Sequence, residues 1–151
     1  METIDPAMAQ RVWQRVKGEA VPPPAASPDL QQLLEEELTD AATYLHLSRF
    51  FDNRHSRILQ QMHRQEQSHA ACLKGIYRML TGNRPTPYVP KPVREKPALT
   101  LRRCYDRELR CIAQYEARSA DPQYGQTFAR LASQEKEHCR ILLELLGKLE
   151  K

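Results

Sequence analysis

Glycine is scarce in this chain, with five residues among 151. A fold of many short strands and tight turns needs more, so long helices are the expectation. No two cysteines stand at C-x-x-C spacing; Cys72, Cys104, Cys111 and Cys139 are scattered. That excludes a zinc ribbon or an iron–thiolate module, and reduced thiols in a cytoplasmic protein are the simplest reading. No run approaches ~18 consecutive apolar residues, which excludes a membrane span. The opening Met1-Glu2-Thr3-Ile4-Asp5 lacks the basic and apolar regions of a secretory signal. A net charge of +4 is mild, and Lys/Arg alternate with Asp/Glu along the chain. No basic run is interleaved with aromatics, so a nucleic-acid partner is not expected.

The eleven prolines cluster in two linkers and at helix starts. Residues 1–26 read as an N-terminal piece: a short amphipathic helix over 5–19, with Val12, Trp13 and Val16 on one side, then the stiff Pro22-Pro23-Pro24 linker. Trp13 is expected to anchor it on the bundle or on a second subunit. Residues 27–151 read as one all-α domain, a four-helix bundle. Ser27-Pro28-Asp29 starts helix one, which runs to about Phe51. After a turn over Asp52–Ser56, helix two runs from about Ser56 to Leu80 and stops at Gly82-Asn83. Helix three covers about Ala98–Ser119, and Asp121-Pro122 begins helix four. Between helices two and three, Arg84–Pro97 holds five prolines. About fourteen residues in polyproline geometry reach ~43 Å, the length of a ~25-residue helix. A long crossover between two antiparallel hairpins follows.

The inward stripe of helix two is Leu59, Met62, Glu66, His69, Leu73, Ile76 and Leu80. Helix four repeats it as Phe128, Leu131, Glu135, His138, Leu142, Leu145 and Leu149. Helix one offers Leu30, Leu34, Glu37, Ala41, Tyr44, Ser48 and Phe51, and helix three Leu101, Tyr105, Glu108, Ile112 and Tyr115. Each is the buried seam of a bundle helix. Four glutamates and two histidines interrupt these seams midway.

Those interruptions form one pattern written twice. Glu37…Tyr44 returns after 71 residues as Glu108…Tyr115, and Glu66-x-x-His69 after 69 as Glu135-x-x-His138. Residues three apart share a helix face, so each Glu-x-x-His presents an oxygen and a nitrogen together. Four buried carboxylates repel one another and lose hydration at several kcal/mol per uncompensated charge. Two divalent cations would neutralise them, with both imidazoles uncharged. Oxygen and nitrogen ligands without thiolate suit iron or manganese better than structural zinc. Tyr44 and Tyr115, two turns beyond Glu37 and Glu108, are placed to hydrogen-bond the carboxylates. Cys104 and Cys111 flank Glu108 at minus four and plus three, as small buried residues or as thiols near the metals. His46, His55 and His63 fall off the seams and read as surface residues.

At these residues the chain resembles the ferritin-like superfamily of di-iron and di-manganese carboxylate bundles. It is most similar to the bundle part of rubrerythrins, over about residues 28–149. The resemblance implies two iron ions, with manganese as the alternative, held by Glu37, Glu66, His69, Glu108, Glu135 and His138. It implies a non-haem peroxidase that reduces hydrogen peroxide, and commonly a homodimer. With no rubredoxin domain present, electrons would come from a separate rubredoxin-like donor. Ferroxidase chemistry with dioxygen, dimanganese catalase-like chemistry, and a non-catalytic metal-binding bundle remain open on the same ligands. Rubrerythrins usually carry a further carboxylate three residues after the helix-three glutamate. Here Cys111 stands there, and the equivalent place on helix one is Asp40, which either substitutes for it or faces solvent.

Overall fold

The computed structural model describes residues 27–149, so the expectations for the N-terminal helix, its linker and Trp13 lie outside the described residues. Four helices carry the chain: α1 (Ser27–Leu47), α2 (Asn53–Thr81), α3 (Pro97–Ala117) and α4 (Gly125–Leu149). Among the described residues there is no strand, and no helix is long and apolar enough to cross a membrane.

Local chemistry moves three boundaries from those expected. The first α-helix ends at Leu47, tightens into the 3-10 turn Ser48–Phe50, and Phe51 is extended. Asp52, expected inside a turn, caps α2: its Oδ1 accepts the His55 backbone N–H at 2.9 Å and faces His55 Nδ1 at 2.7 Å. One capped N–H is enough to start the helix at Asn53, three residues earlier than expected. At the other end Gly82 takes φ 75° as the left-handed cap, and its N–H returns to the Arg78 carbonyl. Asp121 Oδ1 accepts from the N–H groups of Gln123 and Tyr124, which holds Pro122–Tyr124 in a turn and delays α4 to Gly125. A side chain at Gly125 would lie 2.3 Å from the Ser119 carbonyl oxygen, so only glycine fits this close approach.

The antiparallel hairpins α1/α2 and α3/α4 provide the closest packing. They meet face to face, α1 against α3 and α2 against α4. Cross-links give the directions. Along α1, Asp29, Glu36 and Asp40 pair in turn with Arg118, which caps α3, and with Cys111 and Arg107 within it, so these helices run antiparallel. The same ordering, Gln65 with His138 and His69 with Gln134, makes α2 and α4 antiparallel. The two hairpins are thus related by an approximate twofold axis through the middle of the bundle.

Two apolar clusters fill the ends. Leu30, Leu33, Leu34, Leu73, Ile76, Phe128 and Leu131 close one, and Leu47, Leu59, Met62, Leu101, Leu142 and Leu145 the other. The seams are buried as expected except at four positions: Phe51, Leu80 and Tyr105 are half-buried and Leu149 is 40% exposed. All six seam glutamates and histidines lie between the two clusters and are buried. Burial of ~25 cal/mol per Å² at both ends makes the polar layer between them affordable.

Candidate metal centre

The six expected ligands converge, and they sort themselves into two overlapping groups. Glu37, Glu66, His69 and Glu135 bring one ligand atom each within 4.8 Å of one another, and so do Glu66, Glu108, Glu135 and His138. Glu66 and Glu135 belong to both groups. His69 Nδ1 lies 3.3 Å from Glu37 Oε2, 3.3 Å from Glu66 Oε2 and 3.0 Å from Glu135 Oε1. His138 Nδ1 lies 2.7 Å from Glu66 Oε1, 3.5 Å from Glu108 Oε1 and 2.9 Å from Glu135 Oε2. Each shared glutamate therefore turns one oxygen to each histidine, which is the geometry of a bridging carboxylate. Glu37 and Glu108 each belong to one group and would serve as terminal ligands.

Both tyrosines act across the bundle. The Tyr44 hydroxyl donates to Glu108 Oε1, and the Tyr115 hydroxyl donates to Glu37 Oε1. Burial, reinforced by the facing carboxylates, pushes both phenols well above their ordinary pKa, so they stay protonated donors. Tyr115 takes Glu37 Oε1 and leaves Oε2 towards His69, whereas Tyr44 takes Glu108 Oε1, the same oxygen that lies 3.5 Å from His138 Nδ1.

The electrostatics split the four carboxylates in the same way. Burial raises Glu66 well above its ordinary value, and the charges of Glu37, Glu108 and Glu135 add to it. Glu135 is raised by burial and by Glu37 and Glu108. Burial also works to raise Glu37, but the Glu66 carboxyl and the His69 ring beside it hold it at about 2. Glu108 is lowered against its burial by Glu135 and His138. His69 is raised despite its burial, chiefly by Glu37. Without metal, then, the negative charge is favoured on Glu37 and Glu108 and the protons on Glu66 and Glu135.

Several atoms remain unsatisfied. Of six buried side-chain atoms without a hydrogen-bond partner among the described residues, four are both Glu66 oxygens, Glu135 Oε2 and His138 Nδ1; the other two, His55 Nε2 and Arg118 Nε, lie outside this layer. Orphaned buried polar atoms are rare and call for a reason. All four belong to the two ligand groups, and two divalent cations bonded to them would satisfy every one. The donor set, carboxylate oxygens with one imidazole nitrogen per group, fits iron or manganese.

Around this core the structure corrects several expectations. Asp40 neither faces solvent nor joins a ligand group; it is buried and takes the Arg107 Nε–H at 2.7 Å. Burial and the Glu108 charge raise its pKa, against the opposing pull of Arg107. A cation therefore reaches this layer, from a residue that no apolar stripe identified. Cys111 donates its thiol to Glu36 Oε2 at 3.1 Å, and Arg107 approaches Cys104 Sγ at 3.4 Å. Burial raises both thiols, so neither is a ready thiolate. His55 is buried in its capping role, and His46 and His63 are half-buried, with His63 Nδ1 2.7 Å from the Ala41 carbonyl. Only His55 is withdrawn from the surface; His46 and His63 remain partly exposed.

Two residues escaped the sequence reading. His69 Nε2 lies 2.6 Å from Gln134 Oε1, and His138 Nε2 lies 2.7 Å from Gln65 Oε1. Each glutamine stands immediately before a bridging glutamate, so the repeat is Gln-Glu-x-x-His in both copies. Extending the comparison of the two copies by one residue would have found them.

Compared with known proteins, the chain matches no family model, and no curated protein or solved structure shows significant similarity to it.

Proposed function

We propose that this protein is a dinuclear metal-carboxylate oxidoreductase of ferritin-like architecture, which reduces hydrogen peroxide in the manner of rubrerythrins. The observation that carries the reading is the sharing of Glu66 and Glu135 by two buried ligand groups. A single-metal site needs no bridging carboxylates, and a structural bundle gains nothing from four buried glutamates at one level. Glu37 and His69 would hold one metal and Glu108 and His138 the other, with Glu66 and Glu135 spanning both. A ferrous pair held there would supply the two electrons that reduction of a peroxide requires.

The chain's own groups set the conditions for that chemistry. The apolar clusters at both ends keep bulk water from the polar layer. Tyr44 and Tyr115 each hold one oxygen of a terminal carboxylate in place. Reduction of one peroxide to two waters takes two protons and two electrons, and re-reduction requires an external donor such as a rubredoxin-like protein.

The test begins with metal content. Anaerobic reconstitution should give two iron ions per chain, and the reduced protein should consume about one peroxide per site and react more slowly with dioxygen. Preferential dioxygen consumption with mineral formation would make it a ferroxidase. Sustained oxygen evolution from peroxide without reductant would make it a dimanganese catalase-like protein. A folded chain that takes up neither metal would end the proposal.

A further inference from the structure

A histidine can offer a metal only one ring nitrogen, and the partner of the other nitrogen decides which. In this bundle both Nδ1 atoms face the carboxylate layer, and both Nε2 atoms face glutamine amide oxygens. An amide oxygen only accepts, so Nε2 carries a proton and Nδ1, on the carboxylate side, is the nitrogen left for a metal. The pairing is reciprocal between hairpins. Gln65 stands four residues before His69 on α2, yet its oxygen serves His138 of α4 at 2.7 Å. Gln134 stands four residues before His138 on α4, yet serves His69 of α2 at 2.6 Å. Each hairpin's imidazole is oriented by the other hairpin.

The choice of amide over carboxylate has a charge argument. Four glutamates against two divalent cations already balance, and a carboxylate at positions 65 and 134 would add two negative charges beside the layer. It would also draw the Nε2 proton and make the imidazole a stronger donor, which favours the oxidised metal. A neutral oxygen fixes the tautomer without that push.

We propose that Gln65 and Gln134 are positioning residues: each fixes the tautomer and ring orientation of the metal-binding histidine on the opposite hairpin, and as neutral acceptors they keep the centre easier to reduce. This rests on the dinuclear reading above, but its test does not require turnover. Gln65 is half-buried and Gln134 exposed, so single substitutions should leave the fold intact.

The experiment uses the zinc-loaded protein, wild type and Gln134→Leu, with Gln65→Leu as the mirror-image variant. Nitrogen-15 NMR of the wild type should show His69 and His138 both protonated at Nε2, with slowly exchanging protons. In Gln134→Leu the His69 proton should become fast-exchanging while that of His138 is unchanged, and one of the two zinc ions should bind about 10–100-fold more weakly by chelator competition. Gln65→Leu should show the reverse assignment. A general loosening of the bundle would affect both histidines alike, so equal effects on both overturn the proposal, as do unchanged protons and affinities. In iron-loaded protein the Gln65→Glu/Gln134→Glu variant should have a lower reduction potential than wild type, and an equal or higher one overturns the tuning role. Wild-type protein that binds no zinc would overturn the dinuclear reading itself, which separates that failure from the failure of the glutamine assignment.

Discussion

Arg107 of α3 reaches into the bundle and donates to Asp40 of α1 at 2.7 Å, where the internal twofold would place a thiol and a carboxylate. Asp40 and Arg107 stand three residues after Glu37 and one before Glu108; Cys111 and Glu36 occupy the reversed places. Cys111 and Glu36 do pair, at 3.1 Å. The six ligands and two tyrosines are thus symmetric, while the layer beside them has diverged into an ion pair on one side and a thiol–carboxylate contact on the other. The two metal positions would therefore be chemically inequivalent.

Removing Arg107 should be costly. Asp40 is buried, and Arg107→Leu leaves its charge without a partner, which by analogy with broken buried pairs costs about 3 kcal/mol. Asp40→Asn should cost less, because the Arg107 side chain is 18% exposed and can turn to water. Chemical denaturation of the metal-free proteins compares the two. An equal loss would mean that Asp40 does not depend on Arg107.

The tyrosine hydroxyls should matter to metal binding more than to folding. Tyr44→Phe frees the Glu108 carboxylate and Tyr115→Phe that of Glu37, without opening a cavity. Each change is expected to weaken the metal on that side by about 10–100-fold. Competition with a chelator measures it, and unchanged affinity would reduce the tyrosines to core aromatics.

Glu66→Ala/Glu135→Ala should abolish stoichiometric loading, because these glutamates serve both groups. The metal-free bundle should persist, since the substitutions remove buried acids that repel their neighbours. Two metals retained by a folded double variant would place the site elsewhere.

The pH dependence of the metal-free protein follows from the split among the carboxyls. Glu66 and Glu135 are raised from an ordinary 4.5, and His69 is raised from 6.5. A raised group contributes its stability below its unfolded pKa and loses it as pH rises through the folded one. Glu37, lowered to about 2, works oppositely: its contribution is present above 4.5 and is lost as pH falls toward 2. Thermal midpoints should therefore fall on the alkaline side as well as in acid. Metal must displace the protons of Glu66 and Glu135, so loading near neutral pH should release protons and tighten as pH rises. A pH-stat titration with no proton release would contradict this arrangement.

Glycine substitutions should separate backbone need from chance. Gly125→Ala drives a methyl group into the Ser119 carbonyl, a backbone atom, and should destabilise the α3–α4 connection. Gly75→Ala meets nothing within 4 Å inside α2 and should stabilise the protein by about 0.5–1 kcal/mol. Thermal unfolding of the two variants should shift in opposite directions.

Periodicity alone was enough to mark four helices, the inward faces and the six residues that meet at mid-bundle. A ligand must replace an apolar residue on a seam, and seam positions recur at helical spacing that can be counted along the chain. Helix starts were less legible, because Asp52 and Asp121 each choose between turn and cap by a side-chain hydrogen bond to nearby backbone, which spacing does not express. Bridging and terminal roles could not be assigned in one dimension either. They depend on which oxygen of Glu66 and Glu135 faces which histidine, a matter of how two hairpins meet. The same holds for Asp40, whose polarity matched either solvent or site until Arg107 came to it from the opposite hairpin, and for His55, buried by its cap instead of by any seam. Sequence determines what lies on one face of one helix, because a residue's neighbours there are three or four positions away. Contacts such as His69 to Gln134, 65 residues apart, exist only once packing brings separate helices together, and they decide how the histidines are aimed.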